Sequence, residues 1–266
     1  MKPAHAEETP GTPARMCEEA RVAAPGASNP ALFEARARLS AARAVFVLTG
    51  AGISAESGLP TFRGAGGLWR NHRVEELASP EGFARDPVLV WTWYNQRRLA
   101  HAATAPNAGH RALAELEARV AKFTLATQNV DSLHRRAGSR NVLELHGHLR
   151  AARCTGCPAR RSLADGMPFD SIEHDCGGRF RPEIVWFGES LPQQAWQLAV
   201  AAAERADLVL IVGTSGMVQP AATLGTHLGR PAARIEVNPE PSLITPHVDC
   251  FLQGSAAQLL PELVAP

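Results

Sequence analysis

The chain has 266 residues, of which 45% are hydrophobic and 20% are charged, and these are ordinary values for a globular protein. They exclude a disordered or fibrous protein as a description of the whole chain. Because 27 basic residues nearly balance 26 acidic ones, the net charge of +1 gives no field of one sign that would favour nucleic acid or an anionic membrane as a partner.

The terminus and the cysteines indicate where the protein works. Residues 1–28 are rich in Pro, Ala and Glu and lack the basic start and apolar core of a secretory signal, so we expect a mobile leader. No apolar stretch approaches the roughly 20 residues that a membrane helix needs. The five cysteines are an odd and dispersed set, which favours a reducing compartment over a disulfide framework. We therefore expect a soluble cytoplasmic protein, and a monomer.

Short β-rich segments alternate with helical ones along most of the chain. Such alternation is typical of a doubly wound parallel sheet, so the predicted fold class is α/β with a Rossmann-like domain. The predicted helices are 31–43, 107–120 and 193–205, and the predicted strands are 44–50, 122–129, 141–147, 206–215 and 232–240.

Two segments interrupt this pattern. Residues 64–105 hold an aromatic cluster, which we interpret as the core of a helical insert, and residues 151–181 hold three cysteines with several Gly and Pro, which indicates a small separate module. The remaining ranges, 29–63, 106–150 and 182–264, are then the dinucleotide-binding domain.

Polar or glycine-rich residues follow four of the predicted strands, and in an open α/β sheet such strand ends meet in one crevice. The residues that follow the first of these strands match the pattern G-x-G-x-x-A at Gly50, Gly52 and Ala55. The glycines of this pattern let the backbone approach a pyrophosphate closely. A dehydrogenase would also place an acidic residue after the second strand, but no strand precedes Glu75 and Glu76. Dinucleotide binding is therefore favoured over hydride transfer.

Six motifs occur in order along the chain. They are GAGISAESGLPTFRG at 50–64, TQNVDSLHRRAG at 127–138, ELHG at 144–147, RPEIVWFGE at 181–189, GTS at 213–215 and VNPE at 237–240. With these motifs the chain resembles, over residues 30–262, the sirtuins, which are NAD-dependent protein-lysine deacylases.

The resemblance implies that NAD is consumed: nicotinamide leaves the ribose, the acyl group of a modified lysine passes to ADP-ribose, and free lysine is released. It also implies which residues bind NAD. They are Gly50, Ala51, Gly52, Ser54, Ala55, Glu56, Thr61, Phe62, Arg63, Trp69, Gln128, Asn129, Val130, Asp131, Gly213, Thr214, Ser215, Asn238, Pro239, Glu240 and Ala256.

The catalytic residues that the resemblance implies are His146, Asn129 and Asp131. An imidazole with a pKa near 6.5 can accept a proton from a ribose hydroxyl at neutral pH, so His146 is the expected general base. Asn129 and Asp131 resemble the pair that orients the ribose and nicotinamide. Asn and Asp also cap helices and form turns, which is the alternative for both.

Tyr94 and Arg97 resemble the Y-x-x-R pair of sirtuins that remove succinyl, malonyl and glutaryl groups, and Ala65 leaves room for a longer acyl chain. A spacing of three places the phenol and the guanidinium on one helix face. A carboxylate in an apolar tunnel needs such a charged partner. The alternative is that Arg97 is a solvated arginine and Tyr94 a core aromatic.

Sirtuins generally hold a structural zinc with two C-x-x-C pairs, and here Cys154 and Cys157 supply the first pair. Of the second C-x-x-C pair, only Cys176 is present. We therefore expect a zinc site completed by His174 or Glu173, although a lost site is an alternative.

The partners implied are acyl-lysine proteins or peptides. The family's substrate strand corresponds to Val185, Trp186, Phe187, Gly188 and Glu189, where a peptide pairs through its main chain. Three other functions remain open: a plain deacetylase, a mono-ADP-ribosyltransferase and a non-catalytic NAD-binding module.

Overall fold

The computed structural model describes residues 30–60, 68–69, 72–73, 77–226, 231 and 233–265. The predicted leader at 1–28 lies outside the described residues. No helix within the described ranges is both long enough and apolar enough to cross a membrane.

Helices and strands alternate through the described chain. The helices are α1 Pro30–Ala41, α2 Gly52–Ala55, α3 Pro80–Arg85, α4 Pro87–Ala103, α5 Ala108–Arg119, α6 Leu133–Arg136, α7 Gln193–Glu204, α8 Thr223–Thr226 and α9 Ala256–Val264, with a 3₁₀ turn at Thr245–His247. The strands are β1 Ala44–Thr49, β2 Leu68–Trp69, β3 His72–Arg73, β4 Lys122–Thr127, β5 Val142–Glu144, β6 Gly147–Cys154, β7 Arg160–Ser162, β8 Phe180–Ile184, β9 Leu208–Val212, β10 Ala233–Asn238 and β11 Cys250–Gln253.

Six strands form a parallel sheet in the order β11-β10-β9-β1-β4-β5. The chain builds outward from β1 to β4 and β5, and then returns to the other side of β1 with β9. The strand order therefore reverses beside β1, which is where an open α/β sheet binds its ligand. The predicted fold class is confirmed, and β11 is an edge strand that the sequence pattern did not predict.

Strand β1 shows why the sheet is covered on both faces. Its side chains alternate: Val45 and Val47 pack with α1, α5 and α9, whereas Phe46 and Leu48 pack with the alanines of α7. Because successive side chains of a strand point to opposite faces, a run that is apolar at every position needs a hydrophobic layer on each side.

Helices α4 and α5 begin at side-chain caps. The Asn107 side chain accepts hydrogen bonds from the N–H groups of Gly109 and His110 at the start of α5. Asp86 caps α4 in the same way, just before Pro87, which sits in the first turn where its missing N–H costs nothing.

The two inserts lie together beside the sheet. The first holds α3 and α4, but it is not wholly helical, because β2 and β3 form a short antiparallel pair. The second is an antiparallel sheet in the order β7-β6-β8. Since β6 begins at Gly147 and β8 ends at Ile184, this sheet reaches a few residues beyond 151–181 at each end.

Helix α4 is tied to the cysteine module by its polar face. The buried Arg98 guanidinium donates to the carbonyl oxygens of Leu149 at 3.2 Å, Ala164 at 2.7 Å and Met167 at 2.6 Å. The Asn95 amide donates to the carbonyl of Phe169 and accepts from its N–H, at 2.8 and 2.9 Å. These bonds give partners to backbone groups at the junction between α4 and the module.

Candidate active site

At the crevice beside β1, the loops after β1 and β9 meet through their backbones. Gly50 N–H donates to the Val212 carbonyl at 3.0 Å, and Gly52 N–H donates to the Gly213 carbonyl at 2.8 Å. A Cβ on Gly50 or Gly52 would lie 2.7 Å from backbone atoms of Gly213. Only glycines allow the loops after β1 and β9 to approach this closely, and the resulting side-chain-free surface suits a pyrophosphate.

The residues after β4 lie against this loop. The Asn129 amide donates to the Gly50 carbonyl at 3.1 Å and to Ser54 Oγ at 3.3 Å. Gln128 Nε2 donates to Thr214 Oγ1 at 3.0 Å, which joins the ends of β4 and β9. Three of the predicted strand ends therefore converge at this crevice, as expected.

Asp131 is buried beside Asn129. One carboxylate oxygen accepts from Ser54 Oγ at 3.0 Å and the other from the Leu133 N–H at 2.9 Å. Burial raises the pKa of this carboxyl, against the two hydrogen bonds and the attraction of Arg97, which lower it. The bond to Leu133 lies at the start of α6. Asp131 therefore also has the turn-forming role that was the alternative for it.

Two buried histidines, His110 and His134, lie behind this cluster and were not singled out from the sequence. Their rings are 4.9 Å apart. His110 Nε2 lies 3.4 Å from Ser54 Oγ, and His134 Nε2 lies 3.0 Å from Thr49 Oγ1. Burial lowers the pKa of His110 to about 4 and that of His134 well below its usual range. The signal that could have found His110 is its place three residues after the Asn107 cap.

His146 lies where the sheet meets the cysteine module. Its Nδ1 is 2.9 Å from the Gln128 carbonyl oxygen, and its own carbonyl accepts from the Val185 N–H at 2.9 Å. Because a carbonyl only accepts, this contact places a proton on Nδ1 and leaves Nε2 of the neutral ring as a proton acceptor. Burial lowers the pKa of His146, which favours that neutral ring at pH 7.

Tyr94 and Arg97 share one face of α4. Tyr94 is 2% exposed, and Trp186 Nε1 donates to its hydroxyl at 2.8 Å. Burial raises the pKa of the Tyr94 phenol, so it remains protonated. The Arg97 guanidinium lies 5.1 Å from the centre of the Trp93 ring, and its burial lowers its pKa while Tyr94 and Asp131 attract its charge.

The predicted substrate segment has no regular strand structure. Its N–H groups at Val185, Phe187 and Glu189 donate to carbonyls of His146, Ala78 and Trp186. The Trp186 side chain is buried, whereas Phe187 is 52% exposed and Gly188 has a φ of +84°. Trp186 therefore belongs to the interior of the insert, and Phe187 is the side chain that this segment presents at the surface.

The far side of the crevice holds the remaining predicted NAD residues. Asn238 Nδ2 donates to the Thr214 carbonyl at 2.9 Å, and the Pro239 carbonyl accepts from Gln253 Nε2 at 3.2 Å. The Glu56 carboxylate accepts from the Ala257 N–H at 3.0 Å, so it caps the start of α9.

The other predicted cofactor residues are Ala51 after β1, Val130 after β4, Ser215 after β9, Glu240 after β10, and Ala256 at the first position of α9. Thr61, Phe62, Arg63 and Ala65 lie outside the described residues, as does the side chain of Trp69.

The cysteine module brings four metal-binding side chains together. The ligand atoms of Cys154, Cys157, His174 and Cys176 all lie within 4.8 Å of one another. The Glu173 side chain is 73% exposed and pairs with Arg179 instead. Three thiolates and one imidazole are a donor set that Zn²⁺ accepts in tetrahedral structural sites, so these residues fit the expected metal, with His174 as the fourth ligand.

Comparisons with known proteins agree with this geometry. Residues 50–220 match the Sir2 family. NAD-dependent protein deacylase 2 of Pyrobaculum aerophilum is 52% identical over 230 residues, which is 85% of this chain and 92% of the relative.

Two solved structures are similar as well. A Sir2 homologue in complex with NAD is 44% identical, with a TM-score of 0.81 over 87% of this chain and 92% of that one. A Sir2 protein with a p53 peptide and NAD+ is 29% identical, with a TM-score of 0.73 over 86% of this chain and 95% of that one.

Proposed function

The chain belongs to the Sir2 family and is an NAD-dependent protein deacylase, and we propose that it removes acidic acyl groups, succinyl and malonyl, from lysine side chains. The acyl group passes to ADP-ribose, and nicotinamide and free lysine are released. Removal of acetyl groups is the weaker activity. The substrates are acyl-lysine proteins, in keeping with the p53 peptide in a related structure.

The pair formed by Tyr94 and Arg97 carries the proposed acyl preference. A protonated phenol and a guanidinium offer hydrogen-bond donors, and both groups are largely withdrawn from water. An acyl carboxylate that entered this environment alone would lose its hydration without compensation. Charge-assisted bonds from the guanidinium replace that hydration, whereas a neutral acetyl group has no use for them.

We assign the general base to His146. The carbonyl of Gln128 fixes the proton on Nδ1, so Nε2 is available to take a proton from a ribose hydroxyl. Asn129 and Asp131 orient the ribose and nicotinamide side, since both are held by Ser54 and the loop after β1. Bound NAD supplies the glycosidic bond that is broken.

Two further proposals concern the whole molecule. We propose that the protein acts as a monomer in the cytoplasm, where reducing conditions keep Cys154, Cys157 and Cys176 out of disulfides and able to bind zinc. Zinc there would tie β6 to the loop before β8 and take no part in the reaction.

The competing function is a plain deacetylase in which Arg97 only balances the charge of Asp131, to which it is attracted. A panel of succinyl, malonyl, glutaryl and acetyl peptides, incubated with NAD and read by mass, separates the two. We expect Arg97→Met to lower kcat/KM for the succinyl peptide at least about tenfold, since one charge-assisted bond contributes about 1.5–3 kcal/mol, and to spare deacetylation.

Gln96→Met is the matched control, because Gln96 is the exposed neighbour on the same helix. Desuccinylation that survives Arg97→Met unchanged would show that Arg97 does not bind the acyl group. Labelled NAD tests the other two alternatives: label fixed to protein would indicate an ADP-ribosyltransferase, and NAD that stays intact would indicate a non-catalytic module.

A further inference from the structure

The hydrogen bond between Trp186 and Tyr94 has a fixed direction. An indole N–H donates and has no acceptor, so Trp186 Nε1 gives its proton to the Tyr94 oxygen at 2.8 Å. The phenol therefore cannot donate its own proton to the indole nitrogen. It cannot donate that proton to Arg97 either, because a guanidinium also only donates.

The Tyr94 hydroxyl therefore has a proton and no protein acceptor for it among the described residues. Burial raises the pKa of the phenol, against the charges of Arg97 and Arg181, so the phenol stays protonated. A hydroxyl in this state is complementary to an oxygen that accepts without donating. The acyl carboxylate of the proposed substrate is such an acceptor.

The indole is itself held from two sides. The Arg181 guanidinium stacks on the Trp186 ring, with its central carbon 3.3 Å from the ring centre, and Phe83 packs against the ring at 5.4 Å. Arg181 is buried and donates to both oxygens of Glu189, at 2.5 and 2.8 Å. Glu189 also accepts from the backbone N–H of Trp186 at 2.8 Å. The contacts with Arg181 and Phe83 leave the indole ring little freedom to rotate.

We propose that Trp186 is a positioning residue for acyl specificity: its N–H, clamped by Arg181, occupies one side of the Tyr94 oxygen and turns the phenol proton toward the acyl carboxylate. This inference rests on the proposed preference for acidic acyl groups. It assigns to Trp186 a role different from peptide contact, which its burial prevents.

The test is a double-mutant cycle of Trp186→Phe and Tyr94→Phe, measured on succinyl and acetyl forms of one peptide. The readout is the ratio of kcat/KM for succinyl to kcat/KM for acetyl, which cancels any loss that the two substrates share. We expect Trp186→Phe to lower this ratio about 2- to 10-fold, the worth of one hydrogen bond, chiefly through KM. In the Tyr94→Phe background it should lower the ratio no further.

A substitution by benzothienylalanine at position 186 keeps the ring shape and removes only the N–H, so it decides the matter if Trp186→Phe folds poorly. An unchanged ratio in that variant, or additive losses in the cycle, would overturn the role of Trp186. Failure of the underlying function looks different, because the wild-type protein would then show no succinyl preference and Tyr94→Phe would leave the ratio unchanged.

Discussion

Gly213 is the residue where the predicted cost of a single methyl group is best defined. Its φ is +59°, and a Cβ there would overlap the Ile53 nitrogen and lie 2.7 Å from the Gly52 carbonyl carbon. These are backbone atoms, which cannot rotate away. Gly213→Ala must therefore separate the loops after β1 and β9, whose contact forms the crevice.

The loss of stability has two parts. A left-handed conformation costs an L-residue about 1–2 kcal/mol, and overpacking a tight contact costs about 1–3 kcal/mol more. Gly58→Ala is the matched control, because Gly58 has a φ of +90° and a methyl group added to it would meet nothing within 4 Å. It should show the conformational cost alone.

Thermal unfolding of the two variants measures the difference. At about 2–4 °C per kcal/mol for a domain of this size, Gly213→Ala should unfold roughly 2–12 °C below Gly58→Ala. Calorimetric titration with NAD should also show weaker binding to Gly213→Ala. If the two variants had equal Tm values, the close approach of the loops would be wrong, whatever the NAD affinity.

Two further predictions concern stability at low pH and the fourth zinc ligand. The pKa of His110 is about 4 in the folded protein and about 6.5 in the unfolded chain. Its contribution is therefore complete above pH 6.5 and is lost as the pH falls toward 4, by about 2 kcal/mol between pH 7.5 and pH 5. Urea unfolding at pH 7.5 and pH 5 measures how far the free energy of unfolding falls between the two pH values. We expect that fall to be about 2 kcal/mol smaller in His110→Gln than in the wild type, and unchanged in His247→Gln, whose histidine is exposed. An equal fall in both variants would contradict this role of His110. The purified protein should release zinc to a chelator with a colour change, and His174→Ala should release it faster than Glu173→Ala; equal rates would remove His174 from the ligand set.

Much of the sheet followed from local pattern, because buried parallel strands are apolar throughout and break sharply into polar or glycine residues. The strand ends could also be placed together, since parallel strands that share a sheet end at the same edge. Strand β11 escaped prediction because its alternating burial gives a weaker signal at the sheet edge.

Side-chain choices between neighbours could not be predicted from sequence. The C-x-x-C spacing put Glu173 at the position of the missing cysteine, with His174 next to it, and the choice between them depends on which side chain faces inward. Glu173 bridges to Arg179 across the loop, so the adjacent His174 faces the cysteines. The burial of Trp186 and the capping role of Glu56 likewise depend on contacts with residues far along the chain.

The hydrogen bonds that Arg98 and Asn95 of α4 make with the cysteine module limit how the two inserts can move. Because separating α4 from the module would break this set of largely buried hydrogen bonds, we expect the described part of the first insert to move together with the cysteine module as one body. Any closing motion over the crevice must then rotate this body as a whole. The expected pivots are the described connections between this body and the six-stranded sheet, at residues 104–107 after α4, 145–146 between β5 and β6, and 189–192 before α7.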